Sequence, residues 1–142
     1  MNVAIFLDDA RGPVVSARVT DSVADVVQLL AQRRIGCVPV VDGDTVVGIF
    51  SERDVIYGLS SRGASLLDLR VSDVMTSPAE TIDKDTPILA ALSLMTRRRI
   101  RHLPVVEGDR MVGFISIGDL VKSRIDHIEA EAEAMRDYIQ SA

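Results

Sequence analysis

A 22-residue passage occurs twice in this chain at a fixed offset of 65 positions. Residues 33–54 and 98–119 align without a gap. Arg33-Arg34-Ile35 recurs as Arg98-Arg99-Ile100, Pro39-Val40-Val41 as Pro104-Val105-Val106, and Gly48, Ser51 and Asp54 as Gly113, Ser116 and Asp119. Self-similarity at a constant period means one supersecondary unit used twice, generally because neither copy buries its apolar face alone. At 142 residues the chain fits one compact unit, or two small lobes sharing a core. Function is then expected where the copies meet.

Each copy shows the same order of elements. In the first, Asp21 or Ser22 can cap a helix whose apolar residues Val23, Val26, Val27 and Leu30 fall at i, i+3, i+4 and i+7. In the second, Thr86 suits the N-cap and Pro87 the first helical position, and Ile88, Ala91, Leu92 and Met95 repeat the spacing. β-rich runs follow over 37–41 and 45–50, and over 102–106 and 110–115, each pair joined by a Gly-Asp turn, which signals a hairpin. Earlier strands are expected over 14–19 and 79–82. The unit is therefore β-α-β-β-α, a mixed α/β architecture with two pseudo-symmetric lobes. The division that follows is a helical lead-in over 1–12, repeat 1 over 13–63 and repeat 2 over 64–122. A linker spans 57–78, with Ser60, Ser61, Arg62 and Gly63 as its loop and a helical turn over 71–75. From Asp119 to Ala142 no residue breaks a helix, and Val121, Ile125, Ile128, Ala132, Met135 and Ile139 form a heptad seam. A seam needs a partner: either the chain's own lobes or, as favoured here, a second copy.

The formal charge of −5 speaks against broad nucleic-acid binding, which needs a basic face to neutralise phosphates. No stretch reaches the ~20 apolar residues of a membrane span. The first nine residues carry acids where a signal peptide would be apolar, so a cytoplasmic location is expected. The single cysteine, Cys37, excludes an intramolecular disulfide and a cysteine metal cluster, and suits a small core filler. His102 lacks a second ligand at metal spacing. There is no base-paired nucleophile, Walker loop or Rossmann glycine triplet, so no catalytic constellation is expected.

The chemistry-bearing motif is Gly-x-x-Ser-x-x-Asp, at Gly48–Asp54 and again at Gly113–Asp119. A strand ends, a serine caps the next helix and an acid lies in its first turn. Backbone N–H groups and the helix dipole there favour an anion, and an ionised carboxylate can accept both protons of a ribose diol. The plainer alternative is that Ser51 and Ser116 only cap and that Asp54 and Asp119 only complement the dipole. Arg97, Arg98, Arg99 and Arg101 crowd one segment beside His102, and Arg53 adjoins Asp54. Guanidinium groups bind phosphate bidentately, and a phosphate would favour protonated His102.

Over roughly residues 13–122 the two copies resemble a tandem pair of CBS domains (named for cystathionine β-synthase), a Bateman module of the stand-alone bacterial type. The most specific segments are 35–42 with 48–54, and 100–107 with 113–119. The resemblance implies a regulatory adenine-nucleotide-binding module without catalysis of its own. It assigns the ribose to Asp54 and Asp119, and the base or phosphate region to Cys37, Val38, Pro39, His102, Leu103 and Pro104. It assigns the adenine walls also to Val15, Ser16, Thr81 and Ile82. Together with Ser51, Arg53, Ser116 and Arg101 on the phosphate side, these cations favour AMP, ADP, ATP or NAD(H) over the positively charged S-adenosylmethionine. The expected partners are the nucleotide, a second copy and a regulated protein. A structural or adaptor module without ligand is the competing expectation.

Overall fold

The computed structural model describes residues 1–7 and 11–141. Asp8, Asp9 and Ala10 of the expected lead-in, and Ala142 of the expected tail helix, lie outside the described residues. The chain forms β1 (Ala17–Arg18), α1 (Val23–Arg33), β2 (Cys37–Asp42), β3 (Thr45–Ser51), α2 (Glu52–Arg62), α3 (Val71–Val74), α4 (Ile88–Arg98), β4 (His102–Glu107), β5 (Arg110–Ser116) and α5 (Ile117–Ser141). Short 3-10 turns at Val3–Phe6 and Gly63–Asp68 complete it. This is the mixed α/β tandem-repeat architecture with a long C-terminal helix.

The strands form a five-stranded sheet in the order β1-β2-β3-β5-β4. Its two halves are the antiparallel hairpins β2–β3 and β4–β5, turned at Gly43 and Gly108, both at φ 63. That left-handed conformation suits glycine because it has no Cβ to clash. Both hairpins bulge at equivalent places, between Val40 and Val41 and between Val105 and Val106. A single antiparallel pair, Thr45 with Arg110, joins the halves, and these two positions are themselves 65 apart.

The cores repeat as well. One cluster holds Val23, Val26, Leu30, Val38, Val40 and Phe50, and the other holds their counterparts Ile88, Ala91, Met95, Leu103, Val105 and Ile115. The expectation of a shared core is corrected here, since each repeat closes its own. Each does so with a segment from outside the repeated passage: Leu66 and Val71 complete the first, and Val3 completes the second.

Three local expectations are also corrected. The early strands shrink to Ala17–Arg18 and, in the second repeat, to one parallel bridge between Ile82 and Val105. These segments pair on one side only, and Pro78 has no N–H to offer a ladder. Ser22 caps α1 by accepting from the Asp25 N–H at 3.1 Å, but Thr86 does not cap α4. Its hydroxyl donates to Asp83 Oδ1 at 3.3 Å, within a turn where the Asp85 N–H donates to the same oxygen at 2.9 Å. Pro87, in extended conformation, becomes the cap instead. Finally, Ser60, Ser61 and Arg62 belong to α2 rather than to a loop. The Ser61 hydroxyl donates to the Tyr57 carbonyl at 3.1 Å, a back-bond that satisfies it within the helix, which ends at Gly63 with φ 65. The tail is helical as expected, and it exposes the whole seam: Val121, Ile125, Ile128, Met135 and Ile139 are 41% to 65% exposed.

Candidate ligand cleft between the repeats

Where β3 and β5 run into their helices, the backbone closes in the same way in both repeats. The Glu52 N–H donates to the Gly36 carbonyl at 2.9 Å, and the Ile117 N–H donates to the Arg101 carbonyl at 2.8 Å. The Ser51 N–H donates to Asp54 Oδ2 at 2.9 Å and the Ser116 N–H to Asp119 Oδ2 at 3.0 Å. In the second repeat the Asp119 N–H returns a bond to Ser116 Oγ at 3.1 Å, a reciprocal capping box. These N–H groups at the helix starts are therefore already partnered. Anion binding in this region falls to side chains more than to helix ends.

A cleft of about 510 Å³ lies between the copies. Its lining contains pairs of positions 65 apart, namely Gly36 with Arg101, Cys37 with His102, Ser51 with Ser116, and Glu52 with Ile117. The cleft thus straddles the axis that relates the repeats. Its lining is not symmetric, because Thr76, Pro78, Ala79, Glu80 and Arg98–Ile100 line it while their counterparts at 11, 13–15 and 33–35 do not. Four arginines face it (Arg53, Arg98, Arg99 and Arg101) against two carboxylates, Glu52 and Glu80. Arg98 Nε is paired to Glu80 Oε1 at 3.2 Å. Arg99 is left-handed at φ 55, as is its counterpart Arg34 at φ 53, so this backbone shape belongs to the repeat and not to the cleft alone. Ile49, Ile100 and Ile117 supply the apolar wall.

Of the residues singled out in the sequence, Cys37, Ser51, Arg53, Arg101, His102 and Ser116 line this cleft. Asp54 and Asp119 stand one layer behind it, held by their capping bonds. Val38 and Leu103 are fully buried in the two cores, and Pro39 and Pro104 are buried beside them. Val15 packs against the first core and Ile82 belongs to the second. Thr81 is exposed. Ser16 lines a separate cavity of about 360 Å³ with Gly12, Val14, Arg110 and Val112. Sequence reasoning missed Glu80, Arg98, Arg99 and the three isoleucines. Ile100 immediately precedes Arg101, and Arg98 and Arg99 sit within the basic run; Glu80 carried no signal.

The two acids have different outer partners at equivalent positions. Thr76 Oγ1 donates to Asp54 Oδ1 at 3.0 Å, and Ser51 Oγ donates to Asp54 Oδ2 at 3.3 Å. Arg11, which lies 65 residues before Thr76, donates from Nη2 to Asp119 Oδ2 at 2.9 Å. Burial alone would push the Asp119 carboxyl up, but the Ser116 bonds and the Arg11 guanidinium outweigh it and hold the group below its usual range. Burial, and then Arg101, pull the His102 imidazole below its usual 6.5, with Asp119 opposing weakly. The ring stacks on Phe114 with centroids 5.3 Å apart and planes at 12°. Burial and then Asp54 push the Cys37 thiol up to about 12, against Arg101, so it is neither a nucleophile nor a metal ligand at neutral pH. Among the described residues no cluster of three metal-ligating side chains occurs, and no helix is long and apolar enough to cross a membrane.

Comparison with known proteins gives this architecture its place. The CBS domain family model matches residues 7–61 and 71–126. The chain is 34% identical over 84% of its length to the mitochondrial CBS domain-containing protein CBSX3 of Arabidopsis thaliana, and the match spans 61% of that protein's own length. Among solved structures, the CBS-domain containing protein ATU1752 from Agrobacterium tumefaciens is 36% identical with TM-score 0.79, over 87% of this chain and 99% of that one. The CBS domain protein PAE2072 from Pyrobaculum aerophilum, solved in complex with AMP, is 28% identical with TM-score 0.72, over 84% and 89% of the two chains. Two matched domains, a repeated core and a cleft on the axis between them lead to one assignment: the chain belongs to the CBS domain family, as a tandem pair forming a Bateman module.

Proposed function

We propose that this chain is a regulatory module, without catalysis of its own, that binds an adenine nucleotide (AMP, ADP, ATP or NAD(H)) in the central cleft and acts as a homodimer. The observation that carries the reading is the cleft's composition: four arginines converge from both repeats on a space walled by three isoleucines. Guanidinium groups suit phosphate, and the apolar wall suits a base. PAE2072, a relative of the same fold, was solved with AMP. In this reading the side chains of Arg53, Arg101, Ser51 and Ser116 hold phosphate oxygens. Asp54 turns to the ribose once the Thr76 and Ser51 hydroxyls rotate aside. Ile49, Ile100, Ile117 and Cys37 flank the adenine, with Val38, Pro39, Leu103 and Pro104 buried next to Cys37 and His102 along the same strands. S-adenosylmethionine, with its sulfonium charge, is disfavoured by the same arginines.

The competing reading, an adaptor module without ligand, draws on the capping role of Asp54 and Asp119, whose bonds are satisfied within the fold. Isothermal titration of the purified chain with AMP, ATP, NADH and S-adenosylmethionine separates the two. A saturable heat with a nucleotide is expected, and Asp54→Ala should weaken it about tenfold to a hundredfold, the range of a hydrogen bond to a charged group at ~1.5–3 kcal/mol. No heat with any of the four, and no thermal shift, would leave the adaptor reading standing.

A further inference from the structure

The two acids offered to a ribose do not have equivalent partners, and the difference lies in one residue. Asp54 is approached from outside by the hydroxyl of Thr76, a neutral donor that rotates about a single bond. The corresponding position before the first repeat is Arg11. Its guanidinium bonds Asp119 Oδ2 at 2.9 Å and also lies over the Phe6 ring, 5.7 Å from the centroid. Phe6 and Leu7 in turn pack against the second core, which Val3 enters. The guanidinium is therefore placed by a segment that belongs to the fold. Cavity shape agrees independently. Neither acid lines the 510 Å³ cleft itself, but the cleft reaches Arg53 and Thr76, the neighbours of Asp54, and does not reach Gly118 and Arg11, their counterparts beside Asp119.

We propose that Arg11 is a built-in latch on the second nucleotide half-site. The chain binds one adenine nucleotide at the Asp54 half, and the Asp119 half opens to a second nucleotide only when the Arg11–Asp119 ion pair is broken. A ribose diol needs both carboxylate oxygens, and Asp119 Oδ2 already accepts from the Ser116 N–H and from Arg11. The Arg11–Asp119 contact joins two opposite full charges, whereas Thr76 brings only a neutral donor to the Asp54 carboxylate. A diol therefore displaces a hydroxyl at Asp54 far more readily than a guanidinium at Asp119. Any factor that draws the N-terminal segment away from the second core would switch the chain from one occupied site to two.

This inference rests on the nucleotide-binding reading above, and its test separates the two. ATP and, in parallel, AMP are titrated calorimetrically into four proteins: the wild type, Arg11→Ala, Asp54→Ala and the double variant. The wild type is expected to bind one nucleotide per chain and Arg11→Ala two; Asp54→Ala should bind one about tenfold to a hundredfold more weakly, and the double variant should regain one site of wild-type-like affinity. Circular dichroism confirms that each variant is folded; Arg11 is a surface side chain, so its loss should leave the melting curve within a few degrees. A wild type that binds one nucleotide, weakened in Asp54→Ala, together with an Arg11→Ala variant that still binds only one, overturns the latch and leaves the reading intact. A wild type that binds two overturns the latch as well. Weaker binding in Arg11→Ala would make Arg11 a phosphate contact and overturn it too. No binding in any of the four proteins overturns both proposals.

Discussion

At the scale of single residues, the two repeats use the same backbone and differ in charge. Gly36 and Glu52 in the first repeat become Arg101 and Ile117 in the second, and Cys37 becomes His102. A Cβ on Gly36 would meet the carboxylate end of the Glu52 side chain, which would have to swing aside to admit it. The asymmetry places a depressed imidazole beside the cleft, and its consequence for pH can be stated with its sign. His102 is held below 6.5 in the folded chain by burial and Arg101, so the unfolded chain binds the proton more readily. Stability is then full above pH 6.5 and declines as the pH falls from 6.5 through the folded value. Proton-detected titration of the nucleotide-free chain should place the His102 midpoint below that of a free histidine. A nucleotide phosphate should move it upward. A midpoint at or above 6.5 without nucleotide would contradict the burial and stacking seen against Phe114.

At the scale of elements, what could be read in the sequence followed from period and caps. The helices α1 and α4, both hairpins and the tail all announce themselves by apolar spacing and by Gly-Asp turns. The early strands did not, because a segment such as 14–19 looks β-rich whether it pairs along its length or at two residues. The end of α2 was missed because a Ser-Ser-Arg-Gly string signals a loop only when its hydroxyls do not bond back to helix carbonyls, a matter of geometry. Within the candidate cleft, Cys37, Ser51, Arg53, Arg101, His102 and Ser116 were legible, whereas the place of the motif acids Asp54 and Asp119 behind it was not. The partners of the two acids were not, since Thr76 and Arg11 lie 22 and 108 residues away from them. The tail carries the strongest element-level expectation. α5 has 25 residues, about 38 Å at 1.5 Å per residue, and Leu120 is its one buried side chain. Along the rest, Ile125 is 49% exposed, Ile128 48% and Met135 61%, all on one stripe. Bare apolar stripes of this length are typically covered by a partner helix. Sedimentation velocity should show Ile128→Asp displaced toward the mass of one chain relative to the wild type. Equal sedimentation of the two would place any dimer contact on the lobes, where α2 also exposes Ile56 and Tyr57.

At the scale of the whole molecule, the duplicated design gives two cores tied by little more than one strand pair, Thr45 with Arg110, reinforced by the Met111 N–H donating to the Asp44 carbonyl at 3.1 Å. The buried clusters share no member. A cleft ligand touching both halves would then bridge units that are otherwise weakly joined, which is how a binding event between repeats can be felt throughout the chain. Leu103, fully buried in the second core, tests this directly. Leu103→Ala removes buried methyl groups and leaves a cavity, a change that costs about 2–5 kcal/mol. With two weakly coupled cores the cost should be local. Native-state hydrogen exchange without nucleotide should show faster exchange in α4, β4 and β5, while α1, β2 and β3 keep wild-type protection. Nucleotide at about a hundred times its dissociation constant adds ~2.7 kcal/mol to whatever opening releases it. A bridging ligand should therefore raise protection in both halves of the variant, not in one. Equal loss of protection across both repeats in the nucleotide-free variant would mean that they already unfold as one unit, and the cleft would then have no loose joint on which a ligand could act.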